Sequence, residues 1–231
     1  MTPLELDVAG ATLIADLHLP AVPPRAVFGV SHGWGSQRPD DIPTALAWSG
    51  FAALAYDLRG HGESKADLDT IHGRDWVDDL VAVIDHAREL VPHTPVVLVG
   101  ASFGAWLSAL ATTRQPVVAL SLRVPTNLPD TALDLTVAEL MNSPIFRDRR
   151  PGPADTQALN AITAFDGPIQ IVDADLDAII PAQTITNYIN AVADPEKLTR
   201  FTLRNAPHHL ATPELRATYI EQLISWASRV A

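Results

Sequence analysis

Residues 96–104 read Val-Val-Leu-Val-Gly-Ala-Ser-Phe-Gly, an apolar run that ends in the pattern G-x-S-x-G. The chemistry such a pattern can do is nucleophilic attack by a serine held on a sharp strand-to-helix turn with its hydroxyl exposed. That turn strains the serine backbone and brings the chain nearly against itself, so the residues two before and two after must be small. Gly100 and Gly104 meet this need and make Ser102 the candidate nucleophile. A serine hydroxyl is a weak nucleophile near neutral pH. It needs a histidine to take its proton and a carboxylate to hold that histidine in the right tautomer.

The carboxylate is sought after the apolar run Ile169–Val172, which leads into Asp173-Ala174-Asp175-Leu176-Asp177-Ala178. A calcium loop also begins D-x-D-x-D, but its sixth position is Gly and its twelfth Glu, where this chain has Ala178 and Thr184. The stretch is therefore read as the acid-bearing loop, with Asp177 as the triad acid and Asp175 as the fallback. His208 and His209 follow the run Leu198–Leu203. Adjacent side chains point in different directions, so only one can face Ser102; His208 is the expected base and His209 a rim residue. A tetrahedral oxyanion needs two preorganised donors. The backbone N–H of Phe103 is one. The other is expected from Trp34 in His32-Gly33-Trp34-Gly35, where the glycines let the backbone come close. Trp34, Met141, Ile145 and Phe146 are the candidates for the substrate pocket.

These residues need a frame that brings distant positions together. The apolar runs 27–30, 51–55, 96–99, 117–122 and 169–172 are too continuously apolar for strands with one wet face. They fit a sheet covered by helices on both sides. Helical segments alternate with them: Trp76, Leu80, Val83, Ile84, Ala87, Leu90 and Val91 recur at spacings of three and four. Two further strands are expected at Leu4–Val8 and Ala11–Leu19, one at Leu198–Leu203, and a closing helix from Pro213 to Val230. Such alternation means crossover units and a mostly parallel sheet. It breaks at Pro125–Phe165, which holds five prolines and the charged knot Arg147-Asp148-Arg149-Arg150. This stretch reads as an insertion over one end of the sheet, with short helices near Thr131–Met141 and Ala154–Thr163.

The 231 residues suit one domain, 1–231, with a sizeable core. A net charge of −11 argues against nucleic acid or an anionic membrane surface as partner. The absence of cysteine excludes disulfides, thiolate zinc sites and cysteine nucleophiles. The first residues carry Glu5, Asp7 and Asp16 with no uninterrupted apolar stretch, so no signal peptide is expected. No run approaches the roughly 18 apolar residues of a membrane span. A cytoplasmic protein is the expectation, with no metal and no organic cofactor implied; a homodimer is left open.

With these residues assembled, the chain resembles the α/β-hydrolase superfamily over essentially its whole length. Four landmarks stand in family order: His32-Gly33-Trp34-Gly35, then Asp57-Leu58-Arg59-Gly60-His61-Gly62-Glu63-Ser64, then Gly100–Gly104, and last Asp177 with His208. The second matches the family loop D-x-R-G-H-G-x-S, and the resemblance implies a supporting role for Arg59 and His61. It also implies an α/β fold with a mostly parallel eight-stranded sheet, helices on both faces, and residues 125–165 as a small cap. The implied function is a serine hydrolase, carboxylesterase-like (EC 3.1.1.-), acting on a small-molecule ester or related acyl substrate through an acyl-enzyme on Ser102. The insertion is shorter than the lids of many lipases of the family, which speaks against large lipid-droplet substrates. The same triad can serve a thioesterase, acyltransferase, peptidase or carbon–carbon bond hydrolase. A non-catalytic ligand-binding protein on this fold is the reading from another class; such proteins usually lack a triad member, whereas all three are present here.

Overall fold

The computed structural model describes residues 1–144, 146 and 150–231; most of the charged knot at 147–150 therefore lies outside the described residues. β1 (Thr2–Val8) and β2 (Ala11–His18) form a hairpin around Gly10. Six strands follow: β3 (Val27–Ser31), β4 (Ala52–Tyr56), β5 (Val96–Ala101), β6 (Ala119–Arg123), β7 (Ile169–Ala174) and β8 (Leu198–Leu203). They form one eight-stranded sheet in the order β1-β2-β4-β3-β5-β6-β7-β8. Only β1–β2 and β2–β4 pair antiparallel; the rest are parallel.

The helices lying wholly among the described residues are α1 (Asp41–Trp48), α2 (Gly73–Leu90), α3 (Phe103–Ala111), α4 (Val137–Asn142), α5 (Gln157–Ala164), α6 (Ala182–Ala191) and α7 (Pro213–Val230). Every residue of β3 and β4 is buried, because successive side chains enter two different cores. On one face Leu54, Leu98, Leu120 and Ile171 pack with Trp76 and Leu80 of α2, Trp106 of α3 and Ile162 of α5. On the other, Phe28, Val97, Val99 and Val172 pack with Leu46 of α1 and Tyr219, Leu223 and Trp226 of α7. Of the period read in α2, Trp76, Leu80, Val83, Ile84 and Ala87 are buried while Leu90 at the helix end is exposed. The helix starts at Gly73, where the Asp75 carboxylate accepts the His72 N–H at 2.8 Å.

Two sequence expectations shift. The apolar run from 117 enters the sheet only at Ala119, and Val124 leaves it at φ +40°. The helix expected at Thr131–Met141 divides into a 3-10 turn, Asp130–Leu133, and α4. Thr136 divides them: it caps α4 reciprocally with Glu139, whose carboxylate accepts the Thr136 N–H at 2.8 Å.

The strand order positions the site. From central β3 the chain leaves through α1 to β4 on one side, and later returns through α2 to β5 on the other. The loops after β3 and β5 therefore diverge and leave a crevice at the carboxyl ends of the strands, where open α/β sheets bind ligands. Among the described residues no helix is long and apolar enough to cross a membrane.

Candidate active site

Ser102 sits between β5 and α3 at φ 54° and ψ −111°. A non-glycine residue in such a conformation costs on the order of 1–3 kcal/mol and persists only where its surroundings dictate it. Here they do. The Ser102 N–H donates to Arg123 O at 2.8 Å, and its carbonyl accepts the N–H groups of Ala105, Trp106 and Thr126. A Cβ at Gly100 would lie 2.5 Å from Ala105 Cα, and one at Gly104 would lie 2.5 Å from the carbonyl oxygens of Ser31 and His32. Both positions are glycine because the turn packs against its own helix and against the end of β3. Ser102 is 9% exposed, and its Oγ has no hydrogen-bond partner among the described residues.

Asp177, in the loop after β7, and His208, in the loop after β8, meet at the carboxyl ends of these strands. His208 Nδ1–H donates to Asp177 Oδ2 at 2.7 Å. Asp177 Oδ1 accepts the N–H groups of Ile179 and Ile180 at 2.7 and 2.9 Å. Burial pushes the Asp177 pKa up, but the His208 bond and the Ile180 and Ile179 amides outweigh it and hold the carboxyl below its usual range. With the proton on Nδ1, Nε2 of His208 keeps a free lone pair. The other aspartates have different partners: Asp175 accepts the Ala206 N–H at 3.1 Å, and Asp173 pairs with Arg200. His209 is exposed and stands edge-on to His208, ring centres 5.0 Å apart.

The His32–Gly35 loop passes directly over the serine: a Cβ at Gly33 would lie 3.3 Å from Ser102 Cβ and 3.9 Å from Oγ. The buried His32 ring fixes its path. Nδ1–H donates to Gly33 O at 2.8 Å and Nε2 accepts the Leu58 N–H at 3.0 Å. Burial pulls the His32 pKa down to about 4, against the raising effect of the Gly33 bond, so the ring is neutral near pH 7. The N–H groups of Trp34 and Phe103 have no partner among the described residues, as the first N–H of a helix must for Phe103. The Trp34 ring stands edge-to-face with His61, Trp76, Phe103 and Phe146, at centre distances of 4.8, 5.5, 5.6 and 5.8 Å. Thus Trp34 and Phe146 come together. Met141 is 41% exposed on α4 and shares none of these ring contacts, and Ile145 lies outside the described residues.

The loop 57–64 is a brace. Arg59 binds buried Asp79 with two N–H groups, at 2.9 and 2.5 Å, and its carbonyl accepts Trp76 Nε1–H at 2.9 Å and His61 Nδ1–H at 3.2 Å. Two arginines escaped the sequence reading. Arg38 ties Asp16 of β2 to Asp57 and Glu63 of the 57–64 loop, pairs with no local sequence signal. Arg123 ends β6 and donates Nη1–H to His208 O at 2.9 Å. A charge closing an otherwise apolar strand at its carboxyl end was the available signal. Among the described residues no group of three or more His, Asp or Glu side chains is placed to hold a metal ion.

Strand order, strained serine and loop arrangement together define the α/β-hydrolase fold. Residues 22–125 match the family described as Serine aminopeptidase, S33. Monoglyceride lipase of Rattus norvegicus is 29% identical over 147 residues, 59% of this chain and 48% of that protein. The monoglyceride lipase homolog of Monkeypox virus is 32% identical over 132 residues, 54% of this chain and 48% of that protein. The chain spans about half the length of these curated relatives. Est1E from Butyrivibrio proteoclasticus with ferulic acid bound superposes with a TM-score of 0.78 at 19% identity, covering 98% of each chain. A highly thermostable carboxyl esterase from Bacillus coagulans superposes at 0.76 and 14% identity, covering 99% of this chain and 98% of that one.

Proposed function

We propose that this protein is a serine hydrolase that cleaves a carboxylic ester, or a related acyl bond, of a small to medium substrate. Ser102 Oγ attacks the carbonyl carbon while Nε2 of His208 takes its proton. Asp177 holds the resulting imidazolium, and the amides of Trp34 and Phe103 receive the oxyanion. His208 then gives its proton to the departing alcohol, leaving the acyl group on Ser102. Water, deprotonated by His208, attacks that acyl group; the bond to Ser102 Oγ breaks, His208 returns the proton to Oγ, and the acid leaves. Residues 125–165 serve as a short cap whose Phe146 closes the apolar side against Trp34. The observation that carries this reading is the combination of a strained Ser102 under Gly33 with the 2.7 Å His208–Asp177 bond. The names of the curated relatives support an ester substrate.

The experiment is labelling with a fluorophosphonate probe, comparing wild type with Ser102→Ala. Labelling and ester cleavage in the wild type that vanish in a folded Ser102→Ala variant are expected. A folded wild type that neither labels nor cleaves esters, thioesters or aminoacyl amides would refute the proposal.

A further inference from the structure

We propose that an open cleft of about 830 Å³, between the His32–Gly35 loop, the start of α1 and the start of α7, receives a carboxylate-bearing arm of the substrate, bound by the Arg123 guanidinium. The proposal rests on Ser102 being the nucleophile. Gly33 and Ala101, which flank the serine, both line this cleft, so a group in it is within reach of an ester carbonyl placed on Ser102. The cleft lies apart from the Trp34–Phe146 contact, so one arm of the substrate is apolar and the other charged.

Arg123 is the group that gives the cleft its sign. Its Nη1 is committed to His208 O and its guanidinium lies over the Tyr219 ring, 5.6 Å from the ring centre. Nε and Nη2 have no hydrogen-bond partner among the described residues, and no carboxylate there pairs with it. Asp177 is near enough to favour its charge, yet both oxygens of Asp177 are already used by His208 and by two amides. Desolvation pushes the Arg123 pKa down, the condition that an incoming anion relieves. A guanidinium offers paired N–H groups in the geometry a carboxylate accepts. The other charges facing the cleft count for less. Asp40, Asp41 and Arg216 are exposed and screened by solvent and salt. Arg38 is neutralised by Asp16, Asp57 and Glu63. His209 is exposed, with its pKa lowered by desolvation and by His208 and Arg123.

The test uses two matched pairs of substrates: 4-nitrophenyl butyrate against mono-4-nitrophenyl succinate for the acyl arm, and phenyl acetate against 3-acetoxybenzoate for the alcohol arm. In at least one pair the anionic ester is expected to have a kcat/KM about tenfold or more above its neutral partner, after correction for intrinsic reactivity. Arg123→Gln abolishes that preference. Arg123→Lys, which keeps the charge but loses the paired N–H groups, weakens it. A residue that only braces the His208 loop would lower both rates of a pair equally and leave their ratio unchanged; that result overturns the inference, as does a wild type without anionic preference in either pair. Failure to cleave any of the four esters would overturn this inference; it overturns the hydrolase reading as well only if the folded wild type also fails to label with fluorophosphonate and to cleave thioesters and aminoacyl amides.

Discussion

Asp177→Asn isolates the part of the site that sets a proton rather than a shape. Asp177 accepts three N–H groups: two amides on Oδ1 and His208 on Oδ2. Asparagine has one acceptor oxygen. Turning its NH₂ toward Ile179 and Ile180 would face donor to donor and lose two hydrogen bonds worth about 1 kcal/mol each. The oxygen therefore stays with the amides and the NH₂ faces Nδ1 of His208. The ring must then accept at Nδ1 and carry its proton on Nε2, where it can no longer take one from Ser102. The expected loss in kcat is on the order of ten-thousandfold, about 5.5 kcal/mol, with little change in the fold. The stability loss near neutral pH is expected to be about 1–2 kcal/mol, from replacing a charge-assisted bond. Because the native carboxyl is held below its usual range, its contribution is complete above the unfolded value and disappears as pH falls through the native one. The two proteins should thus converge in stability in acid. Hydrolysis of a neutral nitrophenyl ester measures the rate, and urea unfolding at several pH values the stability. Asp177→Asn retaining more than about a tenth of the wild-type rate would refute the reasoning, and a larger loss in Asp175→Asn would move the role to Asp175.

Three further outcomes follow from local geometry. Gly104→Ala places a Cβ 2.5 Å from the Ser31 and His32 carbonyls, so it should destabilise the protein by about 1–3 kcal/mol and displace the loop over Ser102; a lowered urea midpoint with lowered kcat checks it. His32, neutral in the fold with a pKa near 4, contributes stability that is present above its unfolded value near 6.5 and is lost as pH falls toward 4. His32→Gln should flatten that part of the acid limb, by up to about 3 kcal/mol, in unfolding curves at pH 7.5 and 4.5. Arg59→Met leaves the buried Asp79 charge without its partner and should cost about 3–5 kcal/mol, whereas Arg59→Lys should cost less; thermal unfolding of both decides.

The strands and their parallel order were legible because a sheet buried on both faces writes itself as continuous apolar runs between helical periods, and β3, β4 and β5 are such runs. Ser102, Trp34, Asp177 and His208 were legible because each stands in a loop after an apolar run, where glycines or acid–base side chains have few structural uses. The division at Thr136 was written as T-x-x-E but masked by the apolar residues on either side. The pocket was least legible. Which side chains share a cavity depends on contacts across loops distant in sequence, and so Arg123 and the cleft beside it emerged only with the fold. Arg38, bonded to three acids from two segments distant in sequence from it, was hidden for the same reason.

The candidate site is assembled from the ends of five strands: Trp34 follows β3, Ser102 follows β5, Arg123 closes β6, Asp177 follows β7 and His208 follows β8. Asp177 and His208 can approach only when β7 and β8 are in register, with Ala174 opposite Leu203. Parallel pairs joined by long crossovers form late, since their loop-closure entropy is lost before any contact compensates. On the proposed function, turnover is therefore a late-arriving signal in refolding. Helix content and compactness should recover first and cleavage last, so catalytic activity serves this chain as a clock for the completion of its sheet.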